Sequence, residues 1–350
     1  MNRLNVAVIF GGCSSEYEVS LESAYSVITN LDRNKYRPLP VGITRSGDWF
    51  CFFGSIDALR SDGWHYGENA VPAAISPDRS KKSLLVYEES GVKEIPIDAI
   101  FPVLHGKNGE DGTVQALAEL ADIPLIGCGT LSSALCMDKD KAHRLVAAEG
   151  ISVPLSAVFS DTQADRSRLL SFAVKTGFPL FVKPLRSGSS CGVSKVNNER
   201  ELIPAAEKAL HYDHRMIAEE AVEGNEVGCA VISCGERLMI GGPDLIELSG
   251  DFFDYSEKYT PKTSRIICPA GISDERSREI RETALRIFRI LGCGVFARVD
   301  MFLTPEGKIY FNEVNTIPGF TPHSRFPAML KTEGISFGKM LDMIISGVVR

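Results

Sequence analysis

The 350-residue chain has no apolar run approaching the ~20 residues of a membrane-spanning helix, so an integral helical membrane protein is excluded. Its nine cysteines are scattered without one C-x-x-C pair, which indicates neither a zinc cluster nor a disulfide framework and makes a reducing cytoplasm the expected compartment. Positive charge is not in excess. A formal net charge of -7 argues against nucleic acid as a partner, because neutralising phosphates needs a basic field. One basic pocket for a small anion stays open. The amino-terminal "GGCSSE" lacks G-x-G-x-x-G spacing, which makes it a poor match to a dinucleotide-binding dehydrogenase. There is no internal repeat and no low-complexity tract. The start, "MNRLNVAVIFGG", holds only a short apolar run, Val6 to Phe10, and reads as a buried strand rather than a signal peptide.

What is present is an ordinary globular composition, 44% hydrophobic and 24% charged, on a chain long enough for two or three domains. The first part alternates strand and helix signals: "NVAVIF", "SLESAYSVITNL", "YRPLPVGI", then "IDAIFPVL" and "TVQALAELA". This predicts βαβ units and an open, mostly parallel sheet in an α/β domain over 1-127, with ligands beyond the carboxyl ends of its strands. Gly11-Gly12 and "HGKNGEDGT", His105 to Thr113, lie at such ends. A smaller α+β unit over 128-218 follows. It begins with one helix from Ser132 to Glu149 and holds two strands, "FPLFVKP" and "VSKV", around the loop "SGSSCG". The third unit, 219-350, includes an amphipathic helix with Ser273 as N-cap, Gly292 beyond its end, and Ile280, Ala284, Ile287, Phe288 and Leu291 on one face.

Two constellations carry chemistry. In "GVFARVDMFLTPEGKIYFNEVNT", a two-residue turn at Glu306-Gly307 places Asp300 opposite Glu313 and Arg298 opposite Asn315, all on one sheet face. Opposed carboxylates repel unless a cation lies between them. Asp300, Glu313 and Asn315 offer the hard oxygen ligands that suit magnesium shared with phosphates; the alternative is a structural ion pair in which Arg298 alone neutralises the acids. In "RSGSSCG", the amides of Gly188, Ser189 and Ser190 can form an anion-binding concavity, with Lys183 as a point charge, although such residues also make simple turns. A phosphate loop and a metal site together suggest ATP.

With these residues in view the chain resembles the ATP-grasp superfamily, specifically the D-alanine:D-alanine ligase family. The likeness runs over almost the whole chain, through "GGCSSEYEVS" at 11-20, "HGKNGEDGT" at 105-113, "MDKDKAH" at 137-143, "VKPLRSGSSCG" at 182-192, "FFDYSEKY" at 252-259, "ARVD" at 297-300 and "NEVNTIPGFTPHSR" at 312-325. The resemblance implies an ATP-grasp fold behind an amino-terminal preATP-grasp domain. It also implies a two-step reaction: ATP phosphorylates the carboxylate of one D-alanine, and the amine of a second substrate attacks the acyl phosphate. Residue by residue, it assigns Glu16 to the first D-alanine's ammonium, in a hydrogen-bonded triad with Ser189 and Tyr259, and His105 to the wall of that site. Lys139, Lys183 and Lys258 would contact phosphates, with Ser190 in the loop. Glu219, Glu220, Val222 and Glu226 would surround adenine and ribose, Glu220 standing where many members carry lysine. Arg298 and the amide of Gly319 would stabilise the oxyanion. Asp300, Glu313 and Asn315 would hold Mg2+, with Mn2+ as an alternative, and Ser324 would receive the second carboxylate. The resemblance further suggests a homodimer.

Two positions bear on the second substrate. Tyr259 stands where D-alanine:D-lactate ligases typically have histidine, which disfavours a depsipeptide product. Arg325 stands where D-alanine:D-alanine ligases commonly carry an apolar residue, and arginine can donate to the hydroxyl of D-serine. Asp244 is expected to orient Arg325, unless it is a solvated cap, and Phe253 to shape the same pocket. The likeness is greatest to the G-type D-alanine:D-serine ligases of vancomycin resistance. A housekeeping D-alanine:D-alanine ligase, and a regulatory module that binds ATP without turnover, are the competing readings.

Overall fold

The computed structural model describes residues 3-188, 191-235, 237-248 and 264-349. Among these residues three β-sheets form. The amino-terminal sheet runs in the spatial order Gly91–Pro96, Ser83–Glu88, Ala70–Ile75, Trp49–Phe52, Tyr36–Ile43, Leu4–Gly11, Ala99–Pro102. Val6 to Phe10 are fully buried, as a strand covered on both faces must be. Leu4–Gly11 pairs in parallel with both neighbours, but every other pair in this sheet is antiparallel. The sheet is therefore mixed, which corrects the expectation of a mostly parallel one. Between Ile43 and Ala99 the chain returns through turns and the short 3-10 segment Ile56–Ser61, without an α-helical crossover, and short returns produce antiparallel pairs.

The parallel strands bring Gly11-Gly12 and the His105 loop to one end of the sheet, where the Val103 amide donates to Ile9 and the Gly12 amide to Ile43. Gly11 has φ +86, and a Cβ there would sit 2.1 Å from the Ile43 carbonyl oxygen, so only glycine fits. The helix Tyr17–Asn30 starts at the same end, directly after Glu16.

The expected helix from Ser132 to Glu149 is instead two helices, Thr130–Met137 and Lys139–Ala148. Asp138 breaks it: its backbone is extended, and its side chain accepts from the Lys141 amide as the N-cap of the second helix. Arg186 holds the same carboxylate through Nε at 2.9 Å.

The central sheet runs Ser194–Val196, Leu180–Pro184, Met216–Glu220, Ser156–Phe159 and is antiparallel throughout. The helices Arg166–Thr176 and Glu199–Tyr212 pack on one face around a separate core of Leu180, Val182, Met216, Ala218, Leu169 and Ala206. Alternation along the strands leaves Lys183 and Glu219 on the other face.

The third sheet runs Ser264–Ile267, Asp244–Leu248, Asn225–Cys234, Phe296–Leu303, Ile309–Asn315, with Arg237–Ile240 also paired to Asn225–Cys234. The helix Asp274–Ile290 covers one face as its periodicity predicts; Ser273 caps it and Ile280, Ala284, Ile287 and Phe288 are buried. Amino- and carboxy-terminal parts share a core in which Phe320 makes edge contacts with Phe101 at 5.4 Å and Phe296 at 5.1 Å between ring centroids.

Candidate active site

Four strands of the third sheet place one row of residues across its open face. Asp244 pairs with Gly228, Gly228 with Asp300, and Asp300 with Glu313. The next row on one side is Ala230, Arg298, Asn315; on the other it is Ile246, Glu226, Phe302. Two-residue periodicity puts all of them on the same face.

The turn of the hairpin is not the expected two-residue one. Thr304 and Lys308 close it, and the Gly307 amide donates to Thr304, so three residues lie between. A β-bulge between Asp300 and Met301 takes up the extra residue, and the pairs Asp300–Glu313 and Arg298–Asn315 stand as expected.

Asp300 is almost fully buried and heavily bonded. Arg298 donates to it from Nε at 2.8 Å and Nη2 at 2.7 Å, and Asn315 donates from Nδ2 at 2.8 Å. Burial works against the charge on Arg298, but Asp300 outweighs it and raises the guanidinium pKa. Arg325, also buried, grips Asp244 with two parallel bonds, Nε to Oδ2 at 2.7 Å and Nη2 to Oδ1 at 2.8 Å. Its Nη1 donates to Glu226 at 2.8 Å, and Nη2 lies 3.5 Å from Asp300. Burial opposes this charge too, and Asp244, Asp300 and Glu226 overcome it.

Among the described residues this face gathers four carboxylates, Glu226, Asp244, Asp300 and Glu313, against the two guanidiniums of Arg298 and Arg325, an excess of acids that suits a divalent cation. Among the described residues no three His, Cys, Asp or Glu side chains converge on one point. A cation held by Asp300, Glu313 and the amide oxygen of Asn315 would complete its shell from ligand oxygens, as magnesium does with phosphates.

On the central sheet, Lys183 Nζ donates to Glu219 at 2.6 Å in a pair that is 13% and 2% exposed. Burial would raise the Glu219 carboxyl, but Lys183, His143 and Lys139 overcome it and hold it below the ordinary range. Glu219 Oε1 is buried with no partner among the described residues, an acceptor that a ligand donor would satisfy. Lys139 opens its helix and reaches the Ser187 carbonyl at 2.7 Å, at the base of the glycine-serine loop. The carboxylate of Glu220 accepts from the Leu155 amide at 2.9 Å. Val222 lies in the link between Met216–Glu220 and Asn225–Cys234.

At the amino-terminal end, Glu16 is wedged between two loops: a Cβ on Gly106 or Gly188 would come within 2.9 Å or 3.0 Å of its Oε2. The carboxylate therefore sits where the His105 loop meets the glycine-serine loop. His105 donates from Nδ1 to the Ile317 carbonyl at 3.0 Å, leaving Nε2 to accept from Ser23 at 3.4 Å. Burial pushes its pKa down, so the ring is neutral. Ser324 Oγ lies against Gly319, 2.8 Å from where a Cβ would be, and contacts Thr321 Oγ1 at 2.8 Å.

The structure thus groups Glu226, Asp244, Arg298, Asp300, Glu313, Asn315 and Arg325 on one face of the third sheet, Lys183 and Glu219 on one face of the central sheet with Lys139 at Ser187, and Glu16 between Gly106 and Gly188, while His105 reaches Ile317 and Ser324 lies against Gly319. Ser189, Ser190, Phe253, Lys258 and Tyr259 lie outside the described residues. Sequence reasoning missed two residues. Glu110 accepts from the Gly106 amide at 2.9 Å and the Ile317 amide at 3.2 Å, tying the His105 loop to the Ile317 loop. Its signal was a buried-loop acid inside the densest polar motif. Burial, then Glu16 and Glu313, push its carboxyl up to about 8. Gly228 is the other, and its signal was a glycine inside an apolar strand, which marks a close approach.

Comparison with known proteins gives the family of the chain. Residues 5–128 match the family model described as D-ala D-ala ligase N-terminus, and residues 145–346 match D-ala D-ala ligase C-terminus. The D-alanine--D-alanine ligase of Caldicellulosiruptor bescii is 41% identical over 99% of this chain and 95% of its own. The vancomycin B-type resistance protein VanB of Enterococcus faecalis is 42% identical over 99% and 98%. Among solved structures, the VanG D-Ala:D-Ser ligase from Enterococcus faecalis superposes with a TM-score of 0.91 at 49% identity, covering 99% of this chain and 100% of that one. Matched at both ends by its family models and along nearly its whole length by relatives, the chain belongs to the D-alanine–D-alanine ligase family, with its ATP-grasp fold.

Proposed function

We propose that the protein joins D-alanine to D-serine at the expense of ATP, through a D-alanyl phosphate, and so makes a modified dipeptide for peptidoglycan precursors of the kind linked to vancomycin resistance. The observation that carries the D-serine assignment is the buried guanidinium of Arg325, beside Ser324 and fixed by Asp244. Of its five N–H groups, three donate to carboxylates and one faces Asp300 among the described residues, which leaves an Nη1 proton for a substrate hydroxyl. An apolar side chain there would leave that hydroxyl unpaired.

In this reading Glu16 binds the ammonium of the first D-alanine, and His105, neutral, orders the wall of that site through Ile317. Lys139, Lys183, Lys258 and Ser190 hold the phosphates. Glu219, Val222, Glu226 and the backbone of Glu220 surround the nucleoside, Glu219 supplying its orphaned oxygen. Arg298 and the Gly319 amide stabilise the oxyanion that forms when the amine attacks the acyl phosphate; Ser324 takes the incoming carboxylate, and Phe253 shapes the pocket. Ser189 and Tyr259 join Glu16 across the closed site. Asp300, Glu313 and Asn315 would hold magnesium, or manganese in its place, which when bound supplies charge neutralisation between phosphates. Charge moves onto oxygen in both steps, so prearranged donors do most of the work. The reading includes a cytoplasmic homodimer with units at 1-127, 128-218 and 219-350, acting on small molecules without nucleic-acid or membrane partners.

The test incubates purified protein with ATP, magnesium, D-alanine and an equal concentration of D-serine, and identifies products by mass spectrometry. Predominant D-alanyl-D-serine is expected. Predominant D-alanyl-D-alanine would make Arg325 a structural ion pair, a reading favoured by its three carboxylate bonds, and the protein a housekeeping ligase. ATP binding without phosphate release would instead revive the regulatory module.

A further inference from the structure

We infer that Gly228 is a positioning residue for second-substrate selection: the missing side chain at this one strand position is what lets the Arg325 guanidinium lie across the sheet face between Asp244 and Asp300. The inference rests on the reading of Arg325 as the selector and extends it to a residue on another strand. Gly228 occupies the middle of the row Asp244, Gly228, Asp300, with a carboxylate opposite it on each neighbouring strand. Its φ is not positive and it sits inside the strand Asn225–Cys234, so the backbone does not demand glycine. The demand comes from the site. A Cβ at this position would meet Arg325 Nη2 at 2.5 Å, Asp244 Oδ1 at 2.8 Å and Met329 Cε at 2.8 Å. Meanwhile the Gly228 amide donates to the same Asp244 oxygen at 3.0 Å, the oxygen that receives Arg325 Nη2.

Gly228 thereby acts on Arg325 twice. Its amide turns Asp244 so that both carboxylate oxygens meet the guanidinium in a bidentate pair. Its bare Cα gives Nη2 the room to stay in that plane. All three atoms in the way of a Cβ are ends of side chains, so a methyl group is accommodated by moving them, and the guanidinium is the one whose position matters for a hydroxyl. A glycine in a strand interior costs stability, which makes its presence here a feature of the site rather than of the sheet.

The test measures dipeptide product ratios with D-alanine and D-serine in competition for Gly228→Ala, Arg325→Leu and the double variant. Gly228→Ala is expected to lower the ratio of D-alanyl-D-serine to D-alanyl-D-alanine about tenfold, the scale of one misplaced polar contact, by raising KM for D-serine rather than lowering kcat. The double variant is expected to match Arg325→Leu, because Gly228 acts through the arginine. An unchanged ratio in Gly228→Ala, with Arg325→Leu lowering it, overturns the inference and leaves the selector reading standing. Multiplied effects in the double variant also overturn it. An unchanged ratio in Arg325→Leu overturns the selector reading and the inference with it. Should Gly228→Ala not fold, Gly228→Ala/Met329→Ala removes one of the three obstructing atoms and is scored by the same ratio.

Discussion

Asp300 and Glu313 face each other across the hairpin of Phe296–Leu303 and Ile309–Asn315, although the turn that joins the strands is one residue longer than a minimal hairpin. The bulge beside Asp300 absorbs the difference. Two departures from regularity cancel, and the carboxylates meet on the face where Arg298 and Arg325 also lie.

That arrangement depends on Gly307, which has φ +87 and whose Cβ would come 2.2 Å from Arg276 Nη2. Gly307→Ala should cost about 1–2 kcal/mol from the left-handed backbone alone. Urea unfolding checks it, and adding Arg276→Ala should relieve the collision but not the backbone cost.

Lys183 and Glu219 form a buried pair at 2.6 Å. Lys183→Met strands the carboxylate and should destabilise the protein by about 3–5 kcal/mol, with Glu219→Leu in the same chain recovering much of it. Denaturant midpoints of the two single variants and the double test this; additive losses would show that the pair is not coupled.

Arg325 holds Asp244, which is fully buried. Besides its effect on products, Arg325→Leu should therefore lower stability by about 3–5 kcal/mol, and Asp244→Asn should restore part of that by removing the unpaired charge. A thermal melt of Arg325→Leu equal to that of the parent would refute the buried pairing.

Glu110 makes stability depend on pH with a definite sign. Its carboxyl is raised from 4.5 to about 8 in the folded protein, so between those values the folded state keeps a proton that the unfolded chain has released. The stabilisation is present below about 4.5 and is lost as pH rises toward 8. Glu110→Gln should flatten this part of the profile, measured as urea midpoints at several pH values. Charges facing Glu110 include Glu16 and Glu313, so magnesium at Glu313 or an ammonium at Glu16 should ease its ionisation and reduce the slope.

Much of this was legible in the sequence because the signals were local. Ser273 and Gly292 bound a helix whose apolar residues recur at helical spacing, and those residues are its buried face. The pairs Asp300–Glu313 and Arg298–Asn315 followed from strand alternation and a nearby turn. Asp138 is the contrary case. Helical periodicity runs through it, but its carboxylate caps the next helix and binds Arg186, 48 residues away, and that contact is not written in the local pattern.

The sequence by itself determined many of the elements, the pairing of the carboxylates across their hairpin, and the motifs of the ligase family, since each depends on residues close together in the chain. Tertiary structure decided the mixed order of the amino-terminal sheet, the tie from Glu110 to Ile317 across 207 positions, and the grip of Arg325 on Asp244 across 81. It also decided that Gly228 must be bare. Such relationships depend on which strands lie side by side and which helix packs over them, and burial of the whole chain sets that, not the propensity of any segment.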